Sequence, residues 1–324
     1  MKKYVYNSIL KDEIYEFFDL RANQGYRDDV RYILLTLDEF LTGIGLAEKI
    51  LTPISVESWI KSLSGRMSIN TKIVYVSHYR QFAKYLQSVG IPAFIHERPK
   101  GESSYVPYIF TQEELIRIFE AADNLTEISD SYLPTCIQFP IVLRILYGCG
   151  MRLGEVLSLK IPDLDFEREA ITVRGAKGNM DRLVPMDTSL TAICRKYYEI
   201  IGMNSSNDSY LFPTNRKGKH THAWARKCFG KVLLSAKISK FNLPRYSRNI
   251  CIHCLRHTFA VNSFGKQNGM GIDNYAAAPL LSAYMGHKNP TGTELYLRMS
   301  AENSSDIISK MNSYTSNIFP EVPE

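Results

Sequence analysis

Three stretches that lie far apart in the chain carry side chains suited to phosphate chemistry. Arg152 follows a glycine-rich turn, Arg256 lies between two histidines, and Tyr296 follows a Gly-His pair. Planar guanidinium groups pair bidentately with phosphate oxygens and remain charged. Because nearby positive charge favours a phenolate, a tyrosine hydroxyl in such a site can attack phosphorus. These residue types predict chemistry on a phosphodiester, with Tyr296 as the candidate nucleophile.

Each of these residues also has an ordinary explanation. A single arginine is more often part of a surface ion pair than of a catalytic site, and most of the twenty tyrosines are expected in the core or at its rim. Arg152 stands out because Gly148 and Gly150 allow the backbone to approach a ligand closely, and a helix beginning there adds positive potential. The hypothesis therefore depends on the combination of the three stretches.

A basic block lies between Asp208 and Asp273. It contains twelve lysines and arginines and no acidic residue, whereas the whole chain has a formal net charge of +6, so the remainder carries −6. A block of one sign indicates a surface that binds a polyanion, because solvated surfaces usually mix both signs. We expect nucleic acid as the partner. The candidate contacts in this block are Lys217, Lys219, Lys227 and Lys231.

Composition argues against membrane insertion, export and metal binding. With 45% apolar and 22% charged residues and no apolar run of about 18 residues, the chain is typical of a soluble globular protein. Asp12 and Glu13 interrupt any signal-peptide core, so a cytoplasmic location is expected. The six scattered cysteines are expected to be reduced thiols. Because Cys251-x-x-Cys254 lacks the second pair of a zinc ribbon, no metal is expected.

Residues 1–92 are predicted to form a helical-bundle domain. Apolar residues recur at helical spacing in four segments, and four amphipathic helices of this length can bury a small core. The segments carry apolar stripes that start at Leu10, Val30, Val56 and Ile69, the third behind Ser55. Their polar faces hold further candidate phosphate contacts, namely Lys61, Lys72, Arg80 and Lys84.

Residues 93–110 are rich in Pro, Gly and Ser and are predicted to be an extended linker to a second domain over residues 111–324. A capping box at Thr111–Glu114 starts the first helix of that domain. The apolar run Cys136–Tyr147 predicts a buried helix despite Pro140.

The apolar period then changes to two in the segments 170–174 and 182–186. This alternation predicts an antiparallel hairpin with Lys177 near its tip. Helical spacing returns at 189–201, at 222–236 and after His253. The predicted fold class is therefore mainly α with a small antiparallel β-sheet.

Four segments, in this order, resemble the active-site boxes of tyrosine recombinases, the phage-integrase family. They are Gly148-x-Gly150-x-Arg152-x-x-Glu155, Lys177-Gly178-Asn179 with Arg182-Leu183-Val184-Pro185, His253-x-Leu255-Arg256-His257-Thr258, and Gly286-His287 with Tyr296 nine residues after the histidine. The bundle over residues 1–92 is similar to the core-binding domain of that family. The resemblance implies an N-terminal core DNA-binding domain and a C-terminal catalytic domain with a helical tail.

The resemblance also implies roles for the matching residues. Arg152 and Arg256 would clamp the scissile phosphate, and Tyr296 would attack it to form a 3′-phosphotyrosyl link. Lys177 would donate a proton to the 5′ leaving oxygen.

Four further residues have supporting roles in this interpretation. His253 and His287 would hydrogen-bond the phosphate and assist proton transfer. Glu155 matches an acidic position that supports the site, and His257 would contact backbone or phosphate. The sequence leaves open whether His257 exchanges roles with His253.

Three features depart from the family pattern. Gly265–Tyr275 resembles an insertion between the last two boxes, Met180 stands where a basic residue is common, and Cys149 stands where threonine is more frequent. None of these departures removes a catalytic group, so activity is still expected.

The leading hypothesis is a DNA-cutting and rejoining enzyme. Exchanging a phosphodiester for a phosphotyrosine conserves bond energy, so no nucleotide cofactor or metal is expected, in agreement with the lack of a GxxxxGK[ST] loop. By resemblance, four protomers would hold two DNA duplexes and exchange strands through a Holliday junction.

Several alternatives stay open at this point. A type IB topoisomerase shares the chemistry, and a catalytically silent DNA-binding protein shares the fold. The biological role is open among integration, excision, transposition and dimer resolution. The tail Asn303–Phe319 is equally compatible with docking on its own domain or on a neighbouring protomer. No arm-binding segment is recognised before the bundle, which favours the simpler recombinases of the family.

Overall fold

The computed structural model describes most of the chain in two compact units. The boundary between them in the sequence lies between Val106 and Pro107. The described residues are 4–26, 30–101, 106–126, 134–175, 181–202, 208–215, 218–239, 249–286 and 293–297.

The first unit contains the four predicted helices around one apolar core. Trp59 and Tyr79 lie at its centre, fully buried, with ring centroids 5.5 Å apart. Asp38 is also buried, and its carboxylate accepts the backbone N–H groups of Asn7 and Ser8 at 2.8 and 2.9 Å, which ties the N-terminal segment to the bundle. The helices are α1 (Lys11–Asn23), α2 (Arg31–Gly43), α3 (Pro53–Ser62) and α4 (Ile69–Ser88).

Helix α3 begins one turn earlier than the sequence prediction, which placed its start behind Ser55. The Thr52 hydroxyl accepts the backbone N–H of Ser55 at 3.2 Å, and Pro53 occupies the first turn. A hydroxyl cap followed by proline is a favoured helix start, because proline fixes φ near its helical value and has no N–H to satisfy.

Both ends of the predicted linker, residues 93–110, pack against a unit. The Phe94 N–H donates to the Leu51 carbonyl at 2.8 Å in the first unit. Phe110 is 2% exposed in the second unit, where its N–H donates to the Thr258 hydroxyl at 3.0 Å. The segment outside both cores is therefore shorter than the composition of the sequence suggests.

The second unit is mainly helical. The apolar run around Pro140 is a buried helix, as predicted, because a proline within the first turns leaves few helical hydrogen bonds unmade. Gly265–Tyr275 lies where two helices meet, and Asp273 caps the second of them by accepting the N–H of Tyr275 at 3.3 Å. The α-helices of this unit with described ends are α5 (Gln112–Asp123), α6 (Thr135–Gly148), α7 (Leu153–Val156), α8 (Thr188–Gly202), α9 (His222–Ser235), α10 (Cys254–Gly269) and α11 (Asn274–Met285). Residues 293–297, around Tyr296, are also helical.

A three-stranded antiparallel sheet of order β1-β2-β3 lies beside these helices. The predicted hairpin is formed by its last two strands, with Val173 paired to Arg182 and Ile171 to Val184. Because side chains alternate along a strand, Arg182 lies on the same face as the fully buried Val184. The strands are β1 (Leu164–Asp165), β2 (Ala170–Val173) and β3 (Arg182–Pro185).

In the described part of the chain, none of the helices combines the length and apolar character that crossing a membrane requires.

Candidate active site

A glycine turn places Arg152 at the N-terminus of α7. Gly150 adopts φ +57°, and a Cβ atom there would lie 2.2 Å from the ring of Phe259. Only glycine fits such a position, because other residues are strained at positive φ and the space is filled. The turn therefore joins α6 to α7 closely against α10, which carries Phe259.

The Arg152 side chain is held from two sides. Its Nη1 donates to Glu155 Oε1 at 2.9 Å and its Nη2 to the Gly286 carbonyl at 2.6 Å. The Arg152 backbone N–H also donates to Glu155 Oε2 at 2.9 Å. The side chain remains 31% exposed, so the guanidinium is oriented yet accessible.

Glu155 joins two arginines. Besides Arg152, it accepts two hydrogen bonds from Arg182, with Nη1 at 3.0 Å from Oε1 and Nη2 at 2.7 Å from Oε2. Burial by itself would raise the pKa of this carboxyl group, but the hydrogen bonds and charges of Arg182 and Arg152 hold the pKa at about 2. Glu155 is therefore a carboxylate at neutral pH. The supporting role predicted for it agrees with these contacts but stays a prediction.

Arg182 belongs to this cluster, although the sequence did not single it out as a site residue. Its Nε donates to the Tyr284 carbonyl in the last turn of α11, at 3.1 Å. The side chain is only 13% exposed. Its position two residues before the buried Val184 was the available signal, because strand alternation directs a charged side chain there towards the interior.

Arg256 is almost completely buried, with 2% of its surface exposed. Its Nη1 donates to the Gly150 carbonyl at 2.5 Å and its Nη2 to the Met285 carbonyl at 2.8 Å. Burial, followed by the charge of Arg152, lowers the pKa of the guanidinium to about 10, while Tyr296 and Glu155 act in the opposite direction. Arg256 thus remains charged at neutral pH.

Tyr296 and His257 form a buried pair. The Tyr296 hydroxyl lies 2.8 Å from His257 Nδ1, and the two residues are 3% and 8% exposed. The ring of His253 meets that of His257 edge-on, with centroids 4.7 Å apart. His253, Arg256 and His257 share one face of the first turn of α10, because residues three and four apart lie side by side on a helix.

Gly286 ends α11 in the left-handed conformation, with φ +66°. A Cβ atom at this position would lie 3.1 Å from Arg182 Nη1 and 3.4 Å from Arg152 Nη1. The glycine therefore lets the chain turn directly against both guanidinium groups.

The described residues thus bring together Arg152, Glu155, Arg256, His253, His257 and Tyr296 from the predicted set. The predicted Lys177 and His287 lie outside the described residues, as do Lys217, Met180 and the tail 303–319.

The predicted DNA contacts are distributed over both units. In the first unit, the Arg80 guanidinium donates to the His96 carbonyl and Lys72 Nζ to the Ser64 hydroxyl at 2.8 Å, whereas Lys61 and Lys84 are exposed. In the second unit, Lys219 Nζ donates to the Ser158 hydroxyl at 3.0 Å. Lys227 and Lys231 are exposed on α9.

Cys251 and Cys254 lie close together without a disulfide, with sulfur atoms 3.9 Å apart. Within the described ranges, no group of three or more His, Cys, Asp or Glu side chains is placed to hold a metal ion.

Comparison with known proteins identifies the family. The profile of the Phage integrase family matches residues 109–303. The chain belongs to this family. The family predicted from the four boxes is therefore confirmed, as is the mainly helical fold with a small antiparallel sheet.

Relatives in the family are moderately similar. Tyrosine recombinase XerA of Pyrococcus horikoshii is 28% identical over 218 residues, which cover 66% of this chain and 64% of that protein. The match therefore spans less than two thirds of this relative. Tyrosine recombinase XerD of Rhizobium meliloti is 27% identical over 259 residues, or 78% of each protein.

Solved structures show the same fold. XerH site-specific recombinase bound to a palindromic difH substrate aligns with a TM-score of 0.65 at 17% identity, covering 86% of this chain and 77% of that one. A lambda integrase dimer bound to a COC′ core site aligns with a TM-score of 0.63 at 14% identity, covering 88% and 94%.

Proposed function

We propose that this chain is a site-specific DNA recombinase that cuts and rejoins duplex DNA through a 3′-phosphotyrosyl intermediate. The observation that carries the proposal is the convergence of three distant boxes. Arg152 and Arg256 donate to the adjacent Gly286 and Met285 carbonyls, and the Tyr296 hydroxyl lies 2.8 Å from His257, which follows Arg256 in the chain. The family match and the recombinase relatives support it.

The charges of the cluster suit phosphoryl transfer. Arg152, Arg182 and Arg256 contribute three positive charges, and Glu155 contributes one negative charge. A phosphodiester gains negative charge as it reaches the pentavalent transition state, and fixed cations in a buried site stabilise that gain more than water does. The cluster therefore favours the transition state over the bound substrate.

The proposed reaction is a transesterification. The Tyr296 oxygen attacks the phosphate held by Arg152 and Arg256, and the bond from phosphorus to the 5′ oxygen breaks. Lys177 gives that oxygen a proton, and His253 and His287 hydrogen-bond the phosphate. Because the phosphotyrosyl bond conserves the energy of the broken bond, a 5′ hydroxyl from the partner strand can reverse the reaction without a nucleotide cofactor.

We extend the proposal to the partner and to the assembly. A related lambda integrase has been solved as a tetramer bound to a Holliday junction, with a TM-score of 0.61 to this chain. We propose double-stranded DNA as the substrate and a homotetramer on two sites, acting in the cytoplasm. Residues 1–92 would bind DNA, residues 111–324 would carry catalysis, and residues 93–110 would link them.

The experiment uses a pool of nicked duplexes with randomised sequence, because the target site is unknown. In EDTA, the protein should form a protein–DNA adduct that resists SDS, and sequencing the attached DNA would identify the site. Two differently labelled copies of that site should then exchange strands. Absence of any adduct would contradict the proposal, and cleavage without exchange would favour the type IB topoisomerase alternative.

A further inference from the structure

The contact between His257 and Tyr296 bears on how the nucleophile loses its proton. A tyrosine hydroxyl has an ordinary pKa of about 10, so only on the order of one molecule in a thousand is ionised near neutral pH. In this site the hydroxyl is buried and its oxygen lies 2.8 Å from His257 Nδ1. A base at hydrogen-bond distance can take the proton during attack, which is general-base catalysis.

We propose that His257 is a catalytic residue that accepts the Tyr296 proton, an inference that rests on the proposed function. The sequence resemblance left His257 as a partner for backbone or phosphate. Its position in the structure places it beside the nucleophile, one residue beyond Arg256 on α10.

The groups around His257 are suited to this role. His253 meets its ring edge-on at 4.7 Å, and Arg256 precedes it on α10 and donates to the Met285 carbonyl at 2.8 Å. Around Arg256 lie the further charges of Arg152, Arg182 and Glu155. The 8% exposure of His257 limits the access of water to the shared proton.

The proposed step moves one proton to His257 and one from Lys177 while one bond to phosphorus forms and another breaks. The Tyr296 oxygen forms a bond to phosphorus and its proton moves to His257 Nδ1, giving an imidazolium. The bond from phosphorus to the 5′ oxygen breaks, and that oxygen takes a proton from the general acid, the role proposed for Lys177. In rejoining, a 5′ hydroxyl attacks phosphorus and returns its proton to Lys177, while the bond from phosphorus to Tyr296 breaks and the tyrosine oxygen recovers its proton from His257.

The test compares His257→Asn with His222→Asn, a matched change at an exposed histidine at the start of α9. Asparagine can accept the Tyr296 hydrogen bond but cannot take the proton. We expect His257→Asn to slow single-turnover adduct formation about 100-fold. The rate of His257→Asn should rise about tenfold per pH unit towards the tyrosine pKa, because only the phenolate can then attack. The wild-type rate should level off, because His257 takes the proton during attack. His222→Asn should behave as wild type.

A His257→Asn variant with the wild-type rate and pH profile would overturn the proposal and leave a positioning role only. If that variant does not fold, His257→Gly is measured with added imidazole. Recovery in proportion to neutral imidazole supports the proposal, and an unchanged rate contradicts it. Loss of adduct formation in the wild type itself would instead refute the proposed function.

A second inference concerns Arg182 and rests on a different set of contacts. Arg182 binds both oxygens of Glu155, so that Arg152 Nη2 is left to contact the Gly286 carbonyl. We infer that Arg182 is a positioning residue that prevents Glu155 from pairing fully with Arg152. Without Arg182, the Glu155 carboxylate would be free to bind both Nη atoms of the Arg152 guanidinium. That pairing would reduce the attraction of Arg152 for phosphate.

The test is a double-mutant cycle on adduct formation. Arg182→Gln should slow the reaction about tenfold with little change in DNA affinity. Adding Glu155→Gln should restore most of the rate, because the carboxylate that captures Arg152 is gone. Arg174→Gln, a change at an exposed arginine after β2 that pairs with Asp163, is the matched control and should be neutral.

A double variant no faster than Arg182→Gln would show that Arg182 acts only through folding. The same pair of measurements on Arg182→Lys serves if Arg182→Gln does not fold. Because every rate is compared with a wild-type adduct, failure of this inference is distinct from failure of the proposed function.

Discussion

The surroundings of Arg152 and Arg256 differ in charge and in exposure. Arg152 is 31% exposed and is ion-paired with Glu155, whereas Arg256 is 2% exposed and, among the described residues, its guanidinium donates to the Gly150 and Met285 carbonyls. Carbonyl dipoles orient a guanidinium without cancelling its charge, while a carboxylate cancels part of it. We therefore infer that Arg256 contributes more of the positive potential at a bound phosphate. Arg152, which is more exposed, contributes a contact that can adjust to the phosphate.

The largest effect expected from this contrast is on the reaction rate. Arg256→Gln should slow adduct formation about 1,000-fold, because it removes a buried charge that is not directly ion-paired with Glu155 in the described contacts. Arg152→Gln should cost less, about 100-fold, because Glu155 already offsets part of the Arg152 charge. Single-turnover rates at saturating DNA measure both. Equal losses of rate, or a larger loss at Arg152, would contradict the inference that Arg256 contributes more to the reaction rate than Arg152.

Glycine substitutions test how rigidly each arginine is surrounded. Gly150→Ala should lower the free energy of unfolding by about 2–4 kcal/mol, because positive φ is strained and the new methyl meets the Phe259 ring at 2.2 Å. Gly286→Ala should cost about 1–2 kcal/mol, because its neighbours are ends of flexible arginines.

Gly175 provides the control for these glycines, since it has φ +58° and no atom of the described residues lies within 4 Å of its Cβ position. Gly175→Ala should show only the backbone strain of about 1 kcal/mol. Urea unfolding of the three variants should therefore rank Gly150 first, and any other first position would contradict a rigid turn beneath Arg256.

The free energy of unfolding at acid pH tests whether the arginines hold Glu155 as a carboxylate. Its pKa is about 2 in the folded protein, below its ordinary value of 4.5, so the stabilisation is complete above about pH 5 and is lost as the pH falls towards 2. Between pH 5 and pH 2, the wild type should lose about 2 kcal/mol more unfolding free energy than Glu155→Gln. Parallel pH curves for the two proteins would show that the arginines do not hold this carboxylate.

The smallest effect is expected at the exposed cations of the basic block. Replacing Lys219, Lys227 and Lys231 with Ala should reduce the slope of log affinity against log salt by about 0.9 for each lysine that contacts a phosphate. Lys196→Ala, an exposed change on α8 outside the block, is the control. An unchanged slope would mean that α9 faces away from DNA.

Local patterns were sufficient to predict most of the fold. The apolar run that became α6 and the alternation that became the hairpin of β2 and β3 each have one dominant period, so the burial of one face determines the element. The start of α3 at Thr52 was missed because Ser55, a competing capping residue, lies three positions later.

The contacts within the candidate site were less accessible to sequence reasoning. The boxes predicted which residues matter, but the Arg152 contact with Gly286 joins positions 134 residues apart, and no local period reports such a contact. The pairing of Tyr296 with His257 depends on the direction of side chains around α10, and two histidines on one helix face are equivalent in a sequence.

The most direct test of the account is to identify the residue that becomes attached to DNA. After digestion of the adduct formed with nicked duplex, mass spectrometry should place the nucleotide on the peptide that contains Tyr296, and Tyr296→Phe should form no adduct. An adduct that persists in Tyr296→Phe and maps to Tyr284 or Tyr314 would contradict the central claim.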